Sequence, residues 1–302
     1  MIPNTAKGES PTASKPFDLD CGIATLHLSE RTHVMGILNV TPDSFYDGGK
    51  YNGVDRAVAH AVRMAEEGAD CIDIGGESTR PGADLVEPET EKARILPVIR
   101  ELRKRIRIPI SIDTRKSVIA EAALHEGANI INDVSGLRYD DRMVGVAARF
   151  QVPVVLMHTR GTPKDMQQRT EYRNLLEEIN DFFNAQIRVS EAAGIHRNQI
   201  VLDPGIGFGK RWEDNFQILG HLDRFRSLEC PILVGVSRKS FIGKALDLGE
   251  ADRLPGTLAA IVAAVLHGAH MVRVHDVREA VQAVRIADRM KRSDHSVEHR
   301  AA

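Results

Sequence analysis

Eight short apolar runs, each followed by a stretch with apolar residues at helical spacing, constrain this chain more than any other feature. The runs are VMGIL ending at Asn39, CIDIGGES ending at Thr79 and Arg80, PISI ending at Asp113, and NII ending at Asn132 and Asp133. They continue with PVVLM ending at His158, IVL ending at Asp203, ILVGV ending at Ser237, Arg238 and Lys239, and MVRV ending at Arg273, His275 and Asp276. After the first run, Val54, Ala57, Val58, Ala61, Val62 and Ala65 recur at the spacing that gives a helix one apolar face. The same spacing predicts helices over residues 89–105, 116–126, 142–150, 172–193, 215–226, 255–267 and 277–290. Strand and helix in alternation mean a parallel sheet, because parallel neighbours need a crossover between them.

The run ends recur every ~34 residues, the length of a βα unit. EEGADCIDIG, HEGANIINDV and LHGAHMVRVH also share one grammar: a helix stops at Gly68, Gly127 or Gly268, where positive φ costs glycine little, and Ala leads into the next strand. Eight such units in one domain predict a (β/α)8 barrel. A doubly wound open sheet is the alternative. It calls for a glycine-rich phosphate turn after its first strand, and NVTPDSF is not one. The barrel is expected over residues 17–291, between polar, disordered tails at 1–16 and 292–302.

Bulk chemistry narrows the function. Forty Lys and Arg against 42 Asp and Glu leave a net charge of -2, which points to neither nucleic acid nor an anionic membrane as partner. No run approaches 18 apolar residues, so no membrane span is expected. Three scattered cysteines without a CxxC fit reduced, buried thiols in a cytoplasmic protein. The 12 histidines lack metal-ligand spacing.

A single polar residue at a strand end reads most simply as a helix cap or turn. Polar residues at all eight ends read instead as the mouth of a barrel, where such folds place their chemistry. Arg80, Lys239, Arg273 and His275 form a basic set suited to a polyanion. Arg273 is the firmest of them, since alternation in MVRVH puts it on the inner face with Met271 and His275. Asp113, Asn132 and Asp203, with Asp73 and Asp133, could accept from the NH groups of an aminopyrimidine-like ring, act as acid and base, or hold a metal; spacing does not separate these. Two loops rich in Gly, Pro and hydroxyls, 41–49 and 75–83, have the composition of lids, and Phe45 on the first has no local packing partner. The segment 203–210, DPGIGFGK, resembles a phosphate loop without its spacing; its glycines equally suit close passage of backbone by a flat ligand.

The motifs MGILNVTPDSFYDGG (35–49), DIGGESTRPGA (73–83), PISIDT (109–114), NIINDVSG (129–136), LMHTRGTPKDMQ (156–167), LDPGIGFGK (202–210), GVSRKSFIG (235–243) and RVHDV (273–277) resemble those of the dihydropteroate synthase family, in the same order. The resemblance implies a transferase of folate biosynthesis. It would condense 6-hydroxymethyl-7,8-dihydropterin diphosphate with p-aminobenzoate and be open to sulfonamide inhibition. It implies Mg2+ held by Asn39 and Asp47, and a pterin site of Asp113, Asn132, Met157, Asp203, Phe208 and Lys239. The diphosphate falls to Asn39, Arg80, Arg273 and His275, and the p-aminobenzoate to Phe45, Thr79, Pro81 and Ser240. Asp113, Lys239, Arg273 and His275 are the implied catalytic groups, and a homodimer the implied assembly. A pterin-dependent methyltransferase barrel would share the pterin pocket without needing the TPDSF, STRPG and SRKSFIG segments. A non-catalytic pterin-binding relative would lack Asn39, Arg80, Lys239 or Arg273, and all four are present. His158 has no implied role.

Overall fold

The computed structural model describes residues 17–41, 50–80 and 82–298. Eight parallel strands follow the predicted runs: β3 (His33–Asn39), β4 (Cys71–Gly75), β5 (Ile110–Asp113), β6 (Ile130–Asp133), β7 (Val154–Met157), β8 (Ile200–Asp203), β9 (Leu233–Val234) and β10 (Met271–Val274). Their order is β8-β7-β6-β5-β4-β3-β10-β9, and a parallel bridge from Leu202 to Ile232 joins the two ends into a barrel. The expected (β/α)8 architecture is the observed one.

The helices are α1 (Lys50–Glu66), α2 (Pro88–Arg103), α3 (Ser117–His125), α4 (Met143–Phe150), α5 (Leu175–Ala192), α6 (Trp212–Gly220), α7 (Ser240–Leu246), α8 (Leu254–Leu266) and α9 (Val277–Glu298). Their apolar faces pack with the outward strand residues into one buried shell that includes Ile72, Ile112, Ile131, Leu156 and Val272. Gly68, Gly127 and Gly268 stop their helices at φ of 103°, 104° and 111°, as their place in the repeated grammar required.

The inward residues form a second cluster. Met35, Cys71, Ile130, Val155, Val201, Leu233 and Met271 fill the barrel floor against Leu19, Cys21, Leu26 and Leu28. Leu19 and Leu26 lie on, and Cys21 and Leu28 just after, the strands of an antiparallel hairpin, β1 (Asp18–Asp20) and β2 (Thr25–His27), that plugs the N-terminal end. The sequence did not reveal this hairpin, because strands of three residues are too short to display alternation.

Other boundaries move for local reasons. Thr79 and Arg80 lie on the loop after β4, since the strand ends at Gly75. The helix expected over 215–226 breaks at Gly220, a weak helix former, and continues as a 3-10 segment, Leu222–Leu228. The short α7 after Lys239 was not anticipated. The last helix, α9, runs past the expected boundary at 292 to Glu298, with no Gly or Pro between Val277 and Glu298 to stop it. The expected tail at 1–16 lies outside the described residues.

Candidate active site

At the C-terminal ends of the strands a pocket opens whose lining includes Thr79, Asp113, Asn132, Met157, Asp203, Phe208, Lys239, Arg273 and His275. Nine of the predicted residues, drawn from distant stretches of chain, therefore meet in one place. Register explains part of this: Gly75, Asp113 and Asn132 sit side by side at the tips of β4, β5 and β6, and Met157 sits beside Asp203 at the tips of β7 and β8.

Arg273 is the electrostatic hub. Its Nε donates to Asp73 Oδ2 at 2.6 Å and its Nη2 to Asp113 Oδ2 at 2.7 Å. Asn132 Nδ2 also donates to Asp73 Oδ2, at 3.0 Å. Asp73 is fully buried, and the sequence placed it among the candidate acceptors without naming its partner. Its signal was nevertheless there: a carboxylate in the middle of CIDIG can only face the barrel interior, where it needs a cation. One guanidinium between two carboxylates leaves the group short of positive charge. Burial therefore raises Asp113 to about 7 despite the opposing pull of Arg273. Asp113 Oδ1 is buried and unpartnered, an acceptor held ready at the pocket wall.

Lys239 is drawn down to about 8 by burial. Its Nζ donates to Ile206 O at 2.7 Å and lies 4.1 Å from the centre of the Phe208 ring, so the cation is held over the aromatic wall. Asp203 accepts from Gly205 N at 2.7 Å, yet burial still raises its carboxyl. This turn packs tightly. Gly205 has φ of +68°, and a Cβ there would lie 2.0 Å from the carbonyl oxygen of His158. Gly205→Ala is thus expected to destabilise the fold by ~2 kcal/mol or more, read as a lower urea midpoint.

His275 differs from its expected place in a set of cations. Burial, with Arg273 beside it, lowers it to about 4, so the ring is neutral at pH 7. Ser237 Oγ accepts from the His275 backbone N–H at 3.1 Å and lies 3.0 Å from Nδ1. A hydroxyl that donates to Nδ1 leaves the ring proton on Nε2, the tautomer that can donate to an anion. Ser237 carries this role unpredicted.

Three predicted residues lie away from this lining. Arg80 lies outside the pocket, exposed, with Nη2 3.1 Å from Glu250 Oε1, because a long side chain on a loop follows whatever carboxylate the fold brings near. Ser240 is exposed at the first turn of α7, away from the pocket lining. Asn39 ends β3 half-buried, beside Gly75, and is not part of the lining. Phe45, Asp47 and Pro81 lie outside the described residues. The second loop has an anchor that sequence reading missed. Glu77 accepts from Arg115 Nη2 at 2.7 Å, from Val86 N at 3.1 Å, and from Lys116, which also reaches Glu91 at 2.6 Å.

Among the described residues no group of three or more His, Cys, Asp or Glu side chains is placed to hold a metal ion. All three cysteines are free and buried. No described helix is long and apolar enough to cross a membrane.

A barrel whose mouth sets carboxylates and an amide beside a lysine and an arginine is built for a flat, polar heterocycle bearing negative charge. The model of the family described as pterin binding enzyme matches residues 35–275. Dihydropteroate synthase of Clostridium beijerinckii is 46% identical over 268 residues, covering 88% of this chain and 97% of that protein. The Yersinia pestis dihydropteroate synthase in a sulfonamide drug complex superposes with a TM-score of 0.85 at 45% identity, covering 91% of this chain and 99% of that one. The Xanthomonas albilineans dihydropteroate synthase with 4-aminobenzoic acid gives 0.84 at 44%, covering 90% and 97%.

The chain belongs to the pterin-binding enzymes. Within them it belongs with the dihydropteroate synthases, and its activity is that transferase activity.

Proposed function

We propose that the pocket condenses 6-hydroxymethyl-7,8-dihydropterin diphosphate with p-aminobenzoate by a dissociative substitution, giving 7,8-dihydropteroate and diphosphate. The observation that carries this reading is the Asp73–Arg273–Asp113 chain, which puts a fixed cation and a fixed carboxylate side by side at the base of the mouth. The arylamine is a weak, neutral nucleophile, so the barrier is lowered mainly by helping the leaving group depart. Arg273 and the Nε2 proton of His275 meet the charge that develops on diphosphate as the C–O bond breaks. The methylene left behind is conjugated to an electron-rich ring and gathers positive charge, which the Asp113 carboxylate stabilises. The amine nitrogen then forms the C–N bond and passes its proton to the released diphosphate.

Asp113, Asn132, Asp203 and Lys239 would take the polar edge of the pterin, between Met157 and Phe208 as apolar walls. Thr79, with Phe45 and Pro81, would meet the p-aminobenzoate, the class of ligand that the Xanthomonas albilineans structure holds. Sulfonamides are arylamines of similar shape and would compete there. Mg2+ fits the donor chemistry: Asn39 offers one hard oxygen, and Mg2+ commonly takes only one or two protein ligands beside substrate phosphates. Asn39 with Asp47 would hold it, and the bound ion would supply charge neutralisation for the departing diphosphate. A homodimer in the cytoplasm completes the reading.

Two experiments test it. Label scrambled between bridging and non-bridging diphosphate oxygens without p-aminobenzoate is the expected result; C–O cleavage strictly dependent on the amine would refute the dissociative order. The kcat/KM for pterin diphosphate is expected to be bell-shaped. It should rise as Asp113 ionises at about 7 and fall as Lys239 loses its proton at about 8. Lys239→Arg should remove the part of the alkaline limb that Lys239 contributes, because arginine does not titrate in this range.

A further inference from the structure

Lys210 is 3% exposed, and its three hydrogen-bond acceptors are all uncharged. Nζ reaches His158 Nδ1 at 3.0 Å, His158 O at 3.3 Å and Phe208 O at 3.0 Å. His158 is itself buried, edge-on to the Phe182 ring at 5.0 Å between centroids, and its pKa is pushed well below the ordinary histidine value by burial and by Lys210. The imidazole is therefore neutral, with a lone pair on Nδ1 for the lysine. Burying a lysine with no carboxylate against it is costly, and an apolar side chain would fill the space more cheaply. The cost has a return in what the ammonium holds.

We propose that Lys210, with His158, is a positioning residue for the pterin half of the substrate, pinning the loop 203–210 so that Phe208 and Ile206 present their contacts to Lys239. The Phe208 carbonyl is tied to Lys210, while its ring faces the Lys239 ammonium at 4.1 Å. Ile206 O accepts from Lys239 at 2.7 Å on the same loop. The other end of the loop lies against the same stretch of chain, since Gly205 packs on the His158 carbonyl and Gly209 on the backbone of Arg160. Lys210 joins these two close approaches across β7 and β8. Burial brings Lys210 to about 7, with Asp203 and Asp214 favouring its charge and Lys239 and Arg160 opposing it. This also gives His158 a task that the sequence left open.

The inference rests on the pterin-pocket reading, and the experiment separates the two. Equilibrium affinity for pterin diphosphate with Mg2+ is measured by calorimetry in Lys210→Met, His158→Leu, His158→Asn and, as control, Asp203→Ala. The KM for p-aminobenzoate is taken at saturating pterin, and folding is checked by thermal denaturation. Lys210→Met is expected to weaken pterin diphosphate about tenfold or more, the loss of hydrogen bonds to a charged group, and to leave the amine KM within about twofold. His158→Leu should follow it. His158→Asn should recover most of the affinity, because the amide oxygen stands as many bonds from Cα as Nδ1 does.

Unchanged pterin affinity in a folded Lys210→Met protein would overturn the proposal, as would equal losses for both substrates or no difference between His158→Asn and His158→Leu. If Lys210→Met fails to fold, the His158 pair decides alone, and unchanged affinity in His158→Leu refutes the pin. Unchanged affinity in Asp203→Ala would instead remove the pterin-pocket assignment.

Discussion

Arg273→Met is expected to abolish measurable condensation and to cost the fold about 3–5 kcal/mol, the penalty for stranding a buried charge without its partner. Two carboxylates share this one guanidinium, at 2.6 and 2.7 Å, and one of them is fully buried. Methionine fills much of the same volume, so the loss is electrostatic more than steric. The sign of its pH dependence follows from the carboxylates. Asp113 already titrates at about 7 in the folded protein, above the ordinary aspartate value of 3.8. The folded state thus holds a proton that the unfolded state releases. Its contribution to stability is complete below the unfolded value and is lost as pH rises through about 7. Without Arg273 the folded value climbs further, and the window of loss extends upward. The deficit in melting temperature of Arg273→Met should therefore be small at acid pH and large at alkaline pH. A deficit independent of pH would show that packing, not charge, holds this centre.

Asp113→Asn separates binding from chemistry. The amide keeps the shape and can still accept a hydrogen bond, and Asp73 remains to hold Arg273. Affinity for pterin diphosphate should stay within about tenfold. The turnover number should fall by about 10²–10³, the usual effect of removing one preorganised electrostatic partner of a transition state. Stopped-flow binding and single-turnover kinetics read the two separately. Equal losses in both would mean that Asp113 only binds the ring.

The barrel was legible because its cause is periodic. Apolar runs of one length and helix stops at Gly68, Gly127 and Gly268 repeat along the chain, and repetition survives without coordinates. The pocket was legible where side chains leave strands, since alternation fixes which face they take; Arg273, Asp113, Asn132 and Asp203 follow from it. Legibility fades on loops and between strands. Arg80 turns to Glu250, a partner 170 residues away that no local pattern announces. Asp73 was noticed as a carboxylate, but its service to both Arg273 and Asn132 depends on strands far apart in sequence. His275 looked like a cation because composition carries no information about burial, and burial is what makes it neutral. The hairpin of β1 and β2 had no signal beyond the polar stretch that precedes it, although it closes the barrel floor.

The central claim is that this mouth joins a pterin to an arylamine by expelling diphosphate. The direct measurement mixes the purified protein with Mg2+, 6-hydroxymethyl-7,8-dihydropterin diphosphate and p-aminobenzoate, and follows diphosphate and dihydropteroate together. Equal yields of both, falling when a sulfonamide competes with the amine, are predicted. Diphosphate without dihydropteroate, or neither product from a folded protein that binds the pterin, would contradict the account.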